Sequence, residues 1–165
     1  MEFRKDQIAA TQAELEKWRG LPHIDRRAIP GQGIDCIHLV FQGLYASGLI
    51  EPRKLPAYRT RWGLVSPENL MAAGFTHALH ASRHKATEAQ YGDIIIWKSG
   101  KQSNHCGIVA YDAAGDLSCW HVLKGGVVHP TPLKPVCQRA QELVRLDAPG
   151  WRIDPDQIKL EDLEI

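Results

Sequence analysis

Gly31-Gln32-Gly33-Ile34-Asp35-Cys36-Ile37-His38-Leu39-Val40-Phe41 joins a turn-prone run to an apolar run at helical spacing. The apolar positions continue through Leu44 and Tyr45, so the spacing predicts a helix that opens at Cys36 and stops near Gly48. A cysteine at that position meets unpaired backbone N–H groups and the positive end of the helix dipole. That field favours thiolate over thiol, and the thiolate is the nucleophile. Cys36 is therefore the candidate catalytic residue, provided that a histidine reaches its sulfur.

Outward from this helix, the N-terminal side reads as a second helix over Asp6 to Arg19, ended by Gly20 and Pro22. On the C-terminal side an insert of about residues 49–90 contains Pro52, Pro56 and Ser66-Pro67-Glu68, the last a capped start for a short helix through about Ala73. Phe75 to Ala89 is ambiguous between helix and irregular structure. After Gly92-Asp93 the period changes. Ile94 to Trp97, His105 to Tyr111, Leu117 to Leu123, Val127 to Thr131 and Glu142 to Leu146 read as strands with short connections. Helices first and strands second predict an α+β domain over residues 1–150, its nucleophile helix packed on a five-stranded antiparallel sheet. Residues 151–165 read as an acidic tail.

A thiol nucleophile needs a base, and the base needs a group that orients it. The connection Asp112-Ala113-Ala114-Gly115-Asp116 fits a three-residue hairpin loop with Gly115 in the left-handed position. Asp112 then faces Asp116, His105 pairs near Leu123, and His121 pairs near Gly107. Side chains alternate along a strand, so His105 and His121 fall on one sheet face within reach of each other. The expected roles are Cys36 as nucleophile, His105 as acid–base, and His121 as the group that fixes the His105 tautomer. The backbone N–H of Cys36 is the expected oxyanion donor.

Composition narrows the classes. The chain has 165 residues, 44% of them hydrophobic, and a net charge of +1. That supports a packed domain and disfavours a nucleic-acid binder, which shows a concentrated basic face. No leader-like apolar run follows Met1, and no run of about 18 apolar residues suggests a membrane span. Synthesis in the cytoplasm without a signal peptide is the expectation. Cys36, Cys106, Cys119 and Cys137 form no Cys-x-x-Cys pair, which argues against a zinc ribbon and for free thiols. Cys106 and Cys119 fall on opposite faces of the expected hairpin, so they are not set to bridge. His77, His80 and His84 would share a helical face, but no carboxylate or cysteine lies at ligand spacing, and no metal or cofactor is expected. His38 reads as packing or surface. The pairs Arg26-Arg27 and Arg53-Lys54 read as solvated surface.

Asp35-Cys36 opening an apolar helix resembles the Asp-Cys-Ser-Gly motif of the NlpC-type cell-wall peptidases, a papain-like family. Gly92-Asp93-Ile94-Ile95-Ile96-Trp97 resembles that family's Gly-Asp-hydrophobic strand, and His105-Cys106-Gly107-Ile108-Val109 its His-Val-Gly-Ile-Tyr strand. Trp120-His121-Val122 resembles the strand with the third polar residue, and Gly20-Leu21-Pro22-His23 resembles a Gly-Thr-Pro-Tyr segment. The likeness runs from about Trp18 to Leu146, and the long Pro-containing insert is most similar to the phage and gene-transfer-agent branch.

The resemblance implies a cysteine peptidase that hydrolyses peptide bonds of bacterial peptidoglycan, often between γ-D-glutamate and a diamino acid. It also implies a stem peptide as partner and an association with phage tail proteins, with the protein carried on a virion to the cell wall. In the family the Asp of the motif, the following Ser and the Tyr hold the substrate's free amino end. Here Asp35 is kept, Ser becomes Ile37, Gly becomes His38 and Tyr becomes His23. Asp35 and His23 are thus the expected substrate-binding residues. Arg26, Arg27 or Arg59 is available to an acidic stem peptide by charge complementarity. The three departures favour the chief alternative, a structural or assembly protein of a phage tail that keeps the fold without turnover. A Cys-His acyltransferase or deamidase is the weaker one.

Overall fold

The apolar run after Cys36 forms α2 (Cys36–Ala46), capped by Asp35, whose carboxylate accepts the His38 N–H. This is a computed structural model, and it describes residues 1–55, 70–99 and 103–157. Before α2 come α1 (Lys5–Trp18) and a short ribbon of β1 (Ala28–Ile29) and β2 (Gly33–Ile34). Gln7 of α1 caps its own helix through Arg4 N–H and donates to Ser47 O at 3.2 Å, while Thr11 donates to Gly43 O, so polar contacts pin α1 along α2. Next come α3 (Leu70–Ala78), β3 (Leu79–His84), β4 (Ile94–Ser99), β5 (Ser103–Tyr111), β6 (Leu117–His121), β7 (His129–Pro132), α4 (Leu133–Arg139) and β8 (Ala140–Trp151).

Among the described residues six strands make one antiparallel sheet in the order β3-β8-β4-β5-β6-β7. The α+β class holds, and β4 to β7 form the expected meander. The sheet carries six strands rather than five: β3 comes from the stretch that was ambiguous, and pairs with β8 at the edge. That pairing also splits His77, at the end of α3, from His80 and His84 on β3, so the three histidines share no helical face. Among the described residues no group of three or more potential ligands could hold a metal. The helix expected to start at Ser66-Pro67-Glu68 begins outside the described residues. The packed unit runs past residue 150: Trp151 ends β8 and stacks on Phe41 at 5.3 Å, and Ile153 packs on the core. Residues 158–165 of the tail lie outside the described set.

The register of the β5–β6 hairpin is the one that its loop predicts. Ile108 stands opposite Trp120 and Tyr111 opposite Leu117, closed by Asp112 N–H to Asp116 O at 2.9 Å, with Gly115 at φ 84°. Alternation then sorts the side chains. Cys106, Ile108, Ala110 and Trp120 join α1, α2 and α3 in the main core, whereas Val109 and Cys119 join Ile95, Trp97 and Val136 of α4 on the other face. At the turn into β4, Arg145 grips the buried Asp93 carboxylate in two bonds of 2.9 and 2.7 Å, and Gln90 N–H adds a third. The Gly-Asp that precedes this strand is thus an electrostatic anchor between β4 and β8.

Candidate active site

Capping by Asp35 orients the first turn of α2 and leaves Cys36 at its open end. The cysteine is partly exposed, whereas His105 and His121 are each only 5% exposed. His105 Nε2 and His121 Nδ1 are 3.0 Å apart, and His121 Nε2 lies 2.7 Å from Thr131 Oγ1. Burial, then the charge of His105 and then that of His129, lower the His121 pKa to about 3. His121 is therefore neutral. Its Nδ1 accepts from His105 Nε2–H, and its Nε2–H donates to Thr131. That assignment leaves Nδ1 of His105 for the sulfur. The Trp97 ring stands edge-on to both imidazoles, at 4.5 Å from His105 and 5.2 Å from His121, and shields the pair.

The Cys106 thiol and the His105 ring are the neighbours that make the Cys36 thiol more acidic. The Cys106 S–H, foremost, and then the His105 N–H and charge hold Cys36 well below the usual thiol range. Burial and the adjacent Cys36 sulfur push Cys106 well up. The two thiols divide their roles by setting: Cys36 sits at a helix N-terminus beside an imidazole, and Cys106 sits in the apolar core. Thiolate on Cys36 and thiol on Cys106 is the arrangement that this asymmetry selects. The first-turn N–H groups of α2 have no partner one turn back, which leaves the Cys36 N–H for an anionic oxygen.

The structure places Cys36, His105 and His121 near one another. The face does not follow the simple docking picture. α2 packs on the sheet face that carries Cys106 and Ile108, while the imidazoles lie on the face with Trp97 and Val109, so Cys36 meets them from the helix end. Asp35 and His23 each have partners of their own. Asp35 Oδ1 accepts both the His38 N–H and the His38 ring at 2.8 Å, and Oδ2 accepts Arg26 N–H at 3.0 Å. His23 sits 3.7 Å from Asp25, and its N–H donates to Gly126 O. His38, read as packing or surface, is instead the partner of Asp35. Its position three residues after an N-cap carboxylate is the capping-box spacing and was the available signal. Cys106 and Thr131 carried no such signal, because both act through strand pairing.

No protein-family model and no curated protein matches the chain. Among solved structures, it superposes on a protein similar to lipoprotein, of the NLP/P60 family, from Staphylococcus aureus subsp. aureus Mu50. The TM-score is 0.54 at 18% identity, over 88% of this chain and 43% of that one. It also superposes on the NlpC/p60 domain of peptidoglycan hydrolase SagA, with TM-score 0.50 and 17% identity, over 84% of this chain and 97% of that one. The chain has the NlpC/P60 fold. The chain spans less than half the length of the staphylococcal protein. No helix among the described residues is long and apolar enough to cross a membrane.

Proposed function

We propose that the chain is a cysteine peptidase that cleaves peptide bonds in bacterial peptidoglycan. One arrangement carries this reading: a thiol at a helix N-terminus whose acidity is raised by a neighbouring imidazole, with that imidazole 3.0 Å from a second, neutral one. The likeness to the domain of a peptidoglycan hydrolase supports the substrate class.

Each step uses groups of this chain. Cys36 S⁻ adds to the carbonyl carbon, and the oxygen takes the charge against the Cys36 N–H, a contact worth roughly 3 kcal/mol in the transition state. His105 then gives its proton to the leaving amine, and the C–N bond breaks to leave a thioester. Neutral His105 next takes a proton from water, which attacks the thioester, and the thiolate leaves. His121 holds His105 in the one tautomer that serves both steps. The bond between γ-D-glutamate and a diamino acid is the proposed target, and the long insert after α2 supports a place in a phage or prophage particle.

The second reading is a structural or assembly protein of a phage tail. The commitment of Asp35 to His38 and Arg26, where the resemblance expects a free amine-binding carboxylate, favours it. One experiment separates the two. Peptidoglycan fragments are incubated with the protein and with Cys36→Ala, and new amino termini are followed. Release that disappears with Cys36→Ala is the expected result. No release from several stem-peptide types, together with a thiol inert to iodoacetamide near pH 6, refutes the enzyme.

A further inference from the structure

Two basic pairs far apart in the sequence, Arg26-Arg27 and Arg53-Lys54, line one cavity of about 720 Å³, a size typical of ligand sites. Its floor is the outer face of α2, where His38, Phe41 and Tyr45 follow one another at helical spacing. Arg59, the third basic residue considered from the sequence, lies outside the described residues.

Both pairs are held in place by their backbones. Arg26 adopts φ 56°, a left-handed conformation that a non-glycine residue keeps only where its surroundings enforce it, and its N–H donates to Asp35. Tyr45 donates its hydroxyl to Arg53 O at 2.9 Å, which ties the second pair to α2. Among the described residues Asp25 is the one carboxylate lining this cavity, and it lies 3.7 Å from His23. Arg53 faces Glu51 at 3.4 Å, outside the lining. Among the described residues the side chains of Arg26, Arg27 and Lys54 have no acidic partner. In a chain of net charge +1 this is a local concentration of positive charge.

The same wall disfavours an ammonium group, since two basic pairs outnumber Asp25 in its lining. Asp35 is spent on His38 and Arg26, and a cation entering the cavity would meet like charge on both sides. A carboxylate would meet two guanidinium forks and a lysine. His38 is two residues from Cys36 along α2, and the helix end is about 10 Å across, a distance that two or three extended residues span.

We propose that this cavity is a carboxylate subsite, which takes a free carboxylate of the peptide substrate two or three residues from the bond that Cys36 attacks. The subsite rests on the peptidase reading for its orientation, while its charge preference is tested without turnover. Specificity then lies in negative charge on the peptide in place of a free amino end.

The test uses Cys36→Ala, which binds without cleaving, and two synthetic peptides titrated by calorimetry. One is N-acetyl-L-Ala-γ-D-Glu-L-Lys-D-Ala with its C-terminal carboxylate free, two residues past the γ-D-Glu–Lys bond; the other is the same peptide as its C-terminal amide. The free acid is expected to bind at least tenfold more tightly, a preference that shrinks in 0.5 M salt. Adding Arg27→Gln and Lys54→Gln, both at exposed positions, is expected to bring the ratio below threefold while the melting temperature holds. Equal affinity for the two peptides, binding of neither, or a preference that survives the double substitution overturns the subsite. Cleavage by the wild-type protein is scored separately, so failure of the subsite and failure of the peptidase reading are distinguishable.

Discussion

Gly107→Ala is the substitution that tests the site's construction most directly. Gly107 lies on β5 between His105 and Val109, on the face that carries the imidazoles. A Cβ there would stand 2.5 Å from Cys119 Sγ, 2.7 Å from the backbone oxygen of Trp120 and 3.1 Å from His121 Cβ. Ordinary contacts begin near 3.4 Å, so β6 must retreat by roughly half an ångström or more, and the Trp120 oxygen belongs to a backbone that cannot swing aside. The His105–His121 bond, now 3.0 Å, would stretch toward 3.5 Å, where a hydrogen bond ceases to orient. Overpacking of this kind costs about 1–3 kcal/mol. In a domain of this size that corresponds to a fall in Tm of about 2–12 °C. Misplacing the acid–base group is expected to lower kcat/KM on a stem peptide by about 100-fold. Thermal melts followed by circular dichroism and a pH profile of kcat/KM measure both effects. A variant that melts within about 1 °C of the wild type and keeps its kcat/KM would refute the argument that this glycine sets the approach of β6.

Cys106→Val removes the S–H that Cys36 shares and keeps the volume near constant. The onset of Cys36 alkylation by iodoacetamide is expected to move to higher pH, read by mass spectrometry of the labelled peptide. An unchanged onset would show that Cys106 contributes nothing to the thiolate. His121 gives a pH dependence of stability with a definite sign. Its pKa falls to about 3 in the folded chain, against about 6.5 unfolded, so below pH 6.5 the unfolded state binds the extra proton. This contribution is fully present above pH 6.5 and is lost as the pH falls toward 3. Urea midpoints across that window are expected to drop less steeply for His121→Gln than for the wild type, and parallel slopes would count against a buried neutral imidazole.

Much of the site was legible because its rules are local. Glycines before Cys36 and apolar spacing after it mark a helix start, and that alone places the sulfur in a favourable field. The length of the 112–116 loop and the left-handed glycine in it set the β5–β6 register, and the register puts His105 and His121 on one face. Turn conformation and the two-residue strand period act over a few residues, so a sequence displays them.

What lay beyond the sequence is the docking of one element on another. Ile94, Ile95 and Ile96 are all buried, so this strand has no polar face to say which side α2 will cover. The structure puts α2 on the Cys106 face, and that choice makes Cys106 a neighbour of the nucleophile. β3 came from a stretch without a clear period because its place is set by pairing with β8, some sixty residues on. The joining of Arg26-Arg27 with Arg53-Lys54 around one cavity is likewise a product of packing. The chain's own sequence determined a helix-tip thiol and two imidazoles in register. Only the tertiary structure decided how the sulfur meets them, and which charges surround the approach, because periodicity marks which faces are apolar but not which apolar face is buried against which.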